Sequence, residues 1–131
     1  MNLKSLVPNL AVADVNKTVD YYTQKLGFEL VMSVPTTGEL VWAMVRSGEV
    51  IINFQGETSL KEEYAQLHSH KIGGALTLYV QVEGIHDLHK SVKSHGVSIA
   101  KELNNTFYGA TEFAIVDCNG YVLTFAETTI P

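Results

Sequence analysis

The stretch Leu6-Val7-Pro8-Asn9-Leu10-Ala11-Val12-Ala13-Asp14-Val15, running on through Tyr21-Tyr22 to Leu26-Gly27-Phe28, decides how the rest of the chain is read. Leu6, Leu10 and Val12 lie on one side of an extended segment. Asp14 then offers a cap to a helix whose apolar residues Val15, Val19, Tyr22 and Leu26 follow helical spacing, and Gly27 ends it. Three strand candidates follow, Phe28 to Val34, Val41 to Val45 and Val50 to Gln55, separated by turn signals at Pro35 to Gly38 and at Ser47-Gly48. The order predicted is βαβββ.

From Gly73 the same order returns. Leu76, Leu78, Val80 and Val82 alternate with Ala75, Thr77, Tyr79 and Gln81, and Ile85, Leu88 and Val92 mark a helix ended by Gly96. Strand candidates at Val97 to Glu102, Thr111 to Val116 and Tyr121 to Glu127 complete the set, the last two joined by the turn Asp117-Cys118-Asn119-Gly120. Gly27 and Gly96 lie 69 residues apart, and Gly48 and Gly120 lie 72 apart, so the pattern predicts an internal duplication. The expectation is one α+β domain over residues 1–131, built of two βαβββ modules at about 1–56 and 73–131. The linker 57–72 is polar and carries Leu60, Tyr64 and Leu67, enough for a short helix.

At 131 residues and 46% hydrophobic, the chain can enclose one core. No apolar run approaches the roughly 20 residues a membrane span needs, and no targeting signal opens the sequence. A single cysteine, Cys118, forms no internal disulfide, which suits the cytoplasm. The net charge is −5 and Arg46 is the only arginine, so nothing offers the basic stripe that nucleic acid requires.

These segments, with Tyr108-Gly109, Glu112-Phe113, Asn119-Gly120-Tyr121 and Leu123-Thr124-Phe125, make the chain resemble the vicinal oxygen chelate superfamily. That group includes glyoxalase I, fosfomycin-resistance enzymes, extradiol dioxygenases and bleomycin-resistance binding proteins. The resemblance spans almost the whole chain and implies paired modules curling into a half-open sheet around a concave site. It also implies a homodimer, because the pairing often runs between subunits.

Metal-dependent members of that superfamily carry ligands on the first, fourth, fifth and eighth strands. The resemblance places these positions at Val7, Ile52, Thr77 and Thr124, with Asn53 replacing Ile52 if the register slips by one. A first-row divalent metal wants converging imidazole, thiolate or carboxylate groups, and these residues supply none. The expectation is therefore no metal and no cofactor, and a chain most like the bleomycin-resistance type.

Other polar residues read as structural. His86 and His89 share a helix face turned from Ile85, Leu88 and Val92, and so are expected in solvent. His68 and His70 belong to the linker, and His95 is placed to meet the helix C-terminus beside Gly96. Cys118 in its turn lacks a base nearby in sequence. Asp117 and Glu112 are read as polar anchors of the turn and of the strand entrance.

The strand faces opposite the helices give the ligand-binding candidates: Asn9, Trp42, Met44, Asn53, Thr77, Tyr79, Phe107, Tyr108 and Thr124. They combine aromatic surface with a few neutral hydrogen-bonding groups, as small-molecule sites do. Trp42 and Tyr79 serve equally well as core or dimer-interface residues, and Arg46 as a ligand contact or a cross-strand partner. The function expected is metal-independent small-molecule binding, with drug sequestration as its use. Three alternatives stand beside it: a metal-dependent lyase or dioxygenase with relocated ligands, a metal-free isomerase using Glu112 or a tyrosine, and a scaffold with a closed cavity.

Overall fold

Helix α1 (Val15–Leu26) shows why the first unit folds as it does. Asp14 accepts a 2.9 Å hydrogen bond from the Lys17 amide, and Gly27 leaves the helix at φ 76°, a left-handed turn that side chains resist. Val15, Val19, Tyr22 and Leu26 are buried on one face, with the Tyr22 ring 4.7 Å from that of Phe54. The computed structural model describes residues 1–128, in two compact units, Met1–Ile72 and Gly73 onward.

In the first unit β1 (Asn9–Val12), β2 (Glu29–Val34), β3 (Trp42–Ser47) and β4 (Val50–Gly56) form a sheet in the order β1-β4-β3-β2. The β1–β4 pair is parallel and the other pairs are antiparallel. Leu10, Val12, Ala43, Val45, Ile52 and Phe54 are buried toward α1. The segment after β4 forms the short helix expected of it: α2 (Glu57–Glu63) follows directly and buries Leu60, and a 3₁₀ turn spans Ala65–Leu67.

The second unit repeats the arrangement, with β5 (Thr77–Gln81), α3 (Ile85–Ser94), β6 (Ser98–Asn105), β7 (Ala110–Val116) and β8 (Val122–Thr128) in the sheet order β5-β8-β7-β6. Here β5 and β8 are parallel. Phe113, Ile115, Leu123 and Phe125 are buried, and the Phe113 ring lies 5.0 Å from that of His89 on α3. Both sheets therefore have the βαβββ connectivity, and the fold is α+β as expected.

Several expectations are corrected. β1 begins at Asn9, leaving Leu6 exposed and Val7 ahead of the strand; Pro8 has no amide to donate to a ladder, though its carbonyl accepts from Asn53 N at 2.9 Å. Leu76 likewise precedes β5 and is exposed. His89 is not a solvent residue: it packs on Phe113 and bonds Glu102 at 3.1 Å. No described helix is long and apolar enough to cross a membrane.

Candidate functional site

The open face of each sheet, the one turned from its helix, follows from strand register. In the second unit Thr77, Tyr79 and Gln81 pair with Val122, Thr124 and Ala126, which in turn pair with Val116, Ala114 and Glu112. These residues alternate with the buried apolar set, so they share the other face. Thr77 and Thr124 meet there with hydroxyl oxygens 2.9 Å apart.

The same face carries a buried carboxylate. Glu112, 3% exposed, accepts two hydrogen bonds at one oxygen, Oε2: from the Tyr79 hydroxyl at 2.6 Å and from the Tyr108 hydroxyl at 2.6 Å. Tyr79 reaches from β5 past β8, where the residue opposite Glu112 is the small Ala126. Tyr108 reaches from the turn between β6 and β7, with Phe107 edge-on to it at 5.0 Å. The turn is held by Thr106, whose hydroxyl accepts from the Ala110 amide at 3.0 Å.

Burial pushes the Glu112 carboxyl up, but the Tyr108 and Tyr79 hydroxyls and the charge of Lys101 outweigh it and hold it below its ordinary value. In return the hydrogen bond to Glu112 pushes the Tyr79 phenol up to about 12, and the same contact raises Tyr108. Near neutral pH this cluster is one carboxylate and two neutral phenols, with neither partner poised to exchange a proton.

In the first unit Met32, Met44, Asn53 and Asn9 form one row across the open face, and Val34, Trp42, Gln55 and Ala11 the next. Asn9 donates to Gln55 at 3.0 Å, and Gln55 donates to Ser59 at 2.9 Å and to Glu63 at 3.1 Å. Among the described residues the buried Oδ1 of Asn53 finds no hydrogen-bond partner, an uncommon cost inside a protein. Arg46 makes a cross-strand contact, 2.7 Å from Glu29.

Every candidate named from sequence thus falls on an open face or, for Phe107 and Tyr108, on the turn beside one. Thr77, Tyr79, Tyr108 and Thr124 come together in the second unit; Asn9, Trp42, Met44 and Asn53 share a face in the first. Gln55 was missed, and Glu112 was named only as a polar anchor or as the working residue of an isomerase. Glu112 does more than anchor the strand entrance, since it joins Tyr108 of the entering turn to Tyr79 of β5, and Asp117 anchors its turn, accepting from the amides of Asn119 and Tyr121. The available signal was alternation: if Phe113 and Ile115 are core, Glu112 and Ala114 share the face of Thr124.

The metal-ligand positions do not fit a metal. Ile52 faces the core and Asn53 takes its place on the open face, Val7 lies outside its strand, and Thr77 and Thr124 offer hydroxyls bonded to each other. Among the described residues no three of His, Cys, Asp and Glu gather where they could hold an ion. A cavity of about 590 Å³ lies elsewhere in the first unit, lined by Asp14, Asn16, Val41, Gly56, Ser59 and Glu62 among others. None of the candidate residues lines it. Asp14 and Asn16 are already engaged in capping α1 and in holding Gly38 and Leu40.

The sheets and their chain order define a protein of the duplicated βαβββ class. The sequence matches the Glyoxalase/Bleomycin resistance protein/Dioxygenase superfamily over residues 4–125, and the chain belongs to that superfamily. It is 25% identical over 124 residues to a bleomycin resistance protein of Geobacillus stearothermophilus, covering 92% of this chain and 94% of the relative. The fold is similar to that of TnmS3, an antibiotic binding protein from Streptomyces sp. CB03234 (TM-score 0.75, 17% identity, 98% and 99% of the two chains). It is also similar to the bleomycin-binding protein of Streptomyces verticillus complexed with copper(II)-bleomycin (TM-score 0.66, 21% identity, 95% and 96% covered).

Proposed function

We propose that this protein binds a small organic molecule on the open faces of its sheets, without a metal ion of its own, and acts by sequestering it. The observation that carries this reading is the Tyr79–Glu112–Tyr108 cluster, an ionised carboxylate with aromatic neighbours on the sheet face turned from α3. Its protonation favours recognition over acid–base turnover, and the Thr77–Thr124 hydroxyl pair stands where metal-dependent relatives need a donor to the ion. The relatives named for bleomycin resistance and antibiotic binding lend the reading its ligand type.

A homodimer is part of the proposal. Strand β2 is a sheet edge that exposes Leu30, Val31, Met32 and Val34, and an edge of this composition is stabilised when a second copy covers it. Sedimentation tests the assembly.

The binding reading is tested by calorimetric titration with a panel of bleomycin and other aromatic antibiotics after treatment with a chelator. Saturable binding that is indifferent to the chelator is expected. Binding or turnover that appears only when stoichiometric metal is restored would overturn it.

A further inference from the structure

We propose that Glu112, set between Tyr79 and Tyr108, receives the ammonium group of a small organic cation, so that the ligand of the open face is an amine or quaternary ammonium compound. This rests on the small-molecule-binding reading and deepens it.

The two oxygens of the carboxylate are used unequally. Both tyrosine hydroxyls donate to Oε2, and Oε1 receives neither. An ionised carboxylate has room for about four contacts across its two oxygens, so Oε1 keeps capacity for a cation held by a hydrogen bond or by charge alone. Two phenols also leave the charge uncancelled. Lys101, in register with Ala114, contributes a favourable field, but it is exposed and forms no ion pair with Glu112 among the described residues. A carboxylate this buried and only partly compensated favours an incoming cation.

The kind of cation follows from what surrounds the charge. A guanidinium binds carboxylates best as a fork across both oxygens, and the two tyrosines already occupy Oε2. A metal ion would find a single carboxylate where it needs several ligands. An ammonium needs only one oxygen and a nearby negative charge. The exposed rings of Tyr79 and Tyr108, whose hydroxyls meet the carboxylate, further suit a cation with an alkyl skirt, because aromatic rings attract such charges.

The test uses choline and its uncharged isostere, in which carbon replaces the quaternary nitrogen, titrated into the intact protein by NMR. Choline should shift the amide signals of Tyr79 and Glu112 saturably, and the isostere should bind about tenfold more weakly or worse. In Glu112→Gln, which keeps the shape and removes the charge, the two probes should become equivalent. Equal binding of both probes to the native protein, or an undiminished preference in the folded Glu112→Gln variant, would overturn the proposal. The native comparison decides alone if that variant does not fold. If an uncharged aromatic antibiotic binds while choline does not, the cation assignment fails and the binding reading stands; if nothing in the antibiotic panel binds either, both fail.

Discussion

The Tyr79 hydroxyl donates a 2.6 Å hydrogen bond to Glu112, tying β5 to β7 past the strand between them. The contact couples two titrations whose directions are opposite. The Tyr79 phenol is raised from 10.0 to about 12, so the stability it contributes is fully present below the unfolded phenol value and is lost as pH rises through the folded one. The Glu112 carboxyl is lowered, so its contribution is present above the unfolded carboxylate value and is lost as pH falls through the folded one. Ultraviolet titration of the phenols should show one tyrosine ionising near 12, and Glu112→Gln should bring it back toward 10.0. A wild-type curve in which every tyrosine titrates near its ordinary value would contradict the contact.

Helix α3 has no side chain of its own to cap it, since Gly84 occupies the N-cap. Glu127 on β8 supplies the acceptor, taking the amides of Gly84 and Ile85 at 3.1 Å each. Those backbone hydrogen bonds, first from Ile85 and then from Gly84, hold the Glu127 carboxyl below its ordinary value. Its contribution is therefore present above the unfolded carboxylate value and declines as pH falls through the folded one. Glu127→Ala should lower the denaturant midpoint at neutral pH and flatten its acid dependence. Amide exchange should quicken first at Gly84 and Ile85.

Gly73 sits at φ 92°, and a Cβ there would stand 3.1 Å from the Gly120 carbonyl oxygen and 3.2 Å from that of Asn119. Both are backbone atoms, so neither can swing away. Gly73→Ala should cost about 2 to 4 kcal/mol, combining the left-handed conformation with the clash. Gly96→Ala separates the two terms: its φ is 72° but nothing lies within 4 Å, so it should cost only about 1 kcal/mol. Equal losses in urea melts of the two variants would remove the close approach as a cause.

The parts of the fold legible in the sequence are those fixed by local chemistry. Asp14 and Gly27 bracket α1, and period-two alternation separates Leu78 and Val80 from Thr77 and Tyr79. What stayed hidden depends on partners far along the chain. Glu112 lies inside an expected strand, but its partners emerge only when strand pairing sets it opposite Ala126, and its cluster joins positions 33 and 4 residues away. Ile52 and Asn53 were exchangeable because the offset between repeats drifts by a few residues, while a shift of one reverses a strand's faces. His89 lies off the apolar stripe of α3, yet the Phe113 ring extends to meet it.

Strand register places Trp42 and Tyr79 on the open faces of β3 and β5. A ligand held on either face should lose stacking surface with that face's ring, so Trp42→Ala or Tyr79→Ala should weaken binding of whichever antibiotic the panel yields by about 1 to 3 kcal/mol. The fold should survive both, because Tyr79 is 49% exposed and Trp42 is not among the buried core residues. Phe113 supplies the contrast: fully buried between His89 and Phe125, its replacement by alanine should lower stability by about 3 to 5 kcal/mol. Leu78, on that same side but only partly buried, should lose less than a fully buried leucine, under about 2 kcal/mol. Calorimetric titration and denaturant melts on one set of samples read the two effects separately. Unchanged affinity in both aromatic variants would show that neither ring meets the ligand and would move the site off these faces.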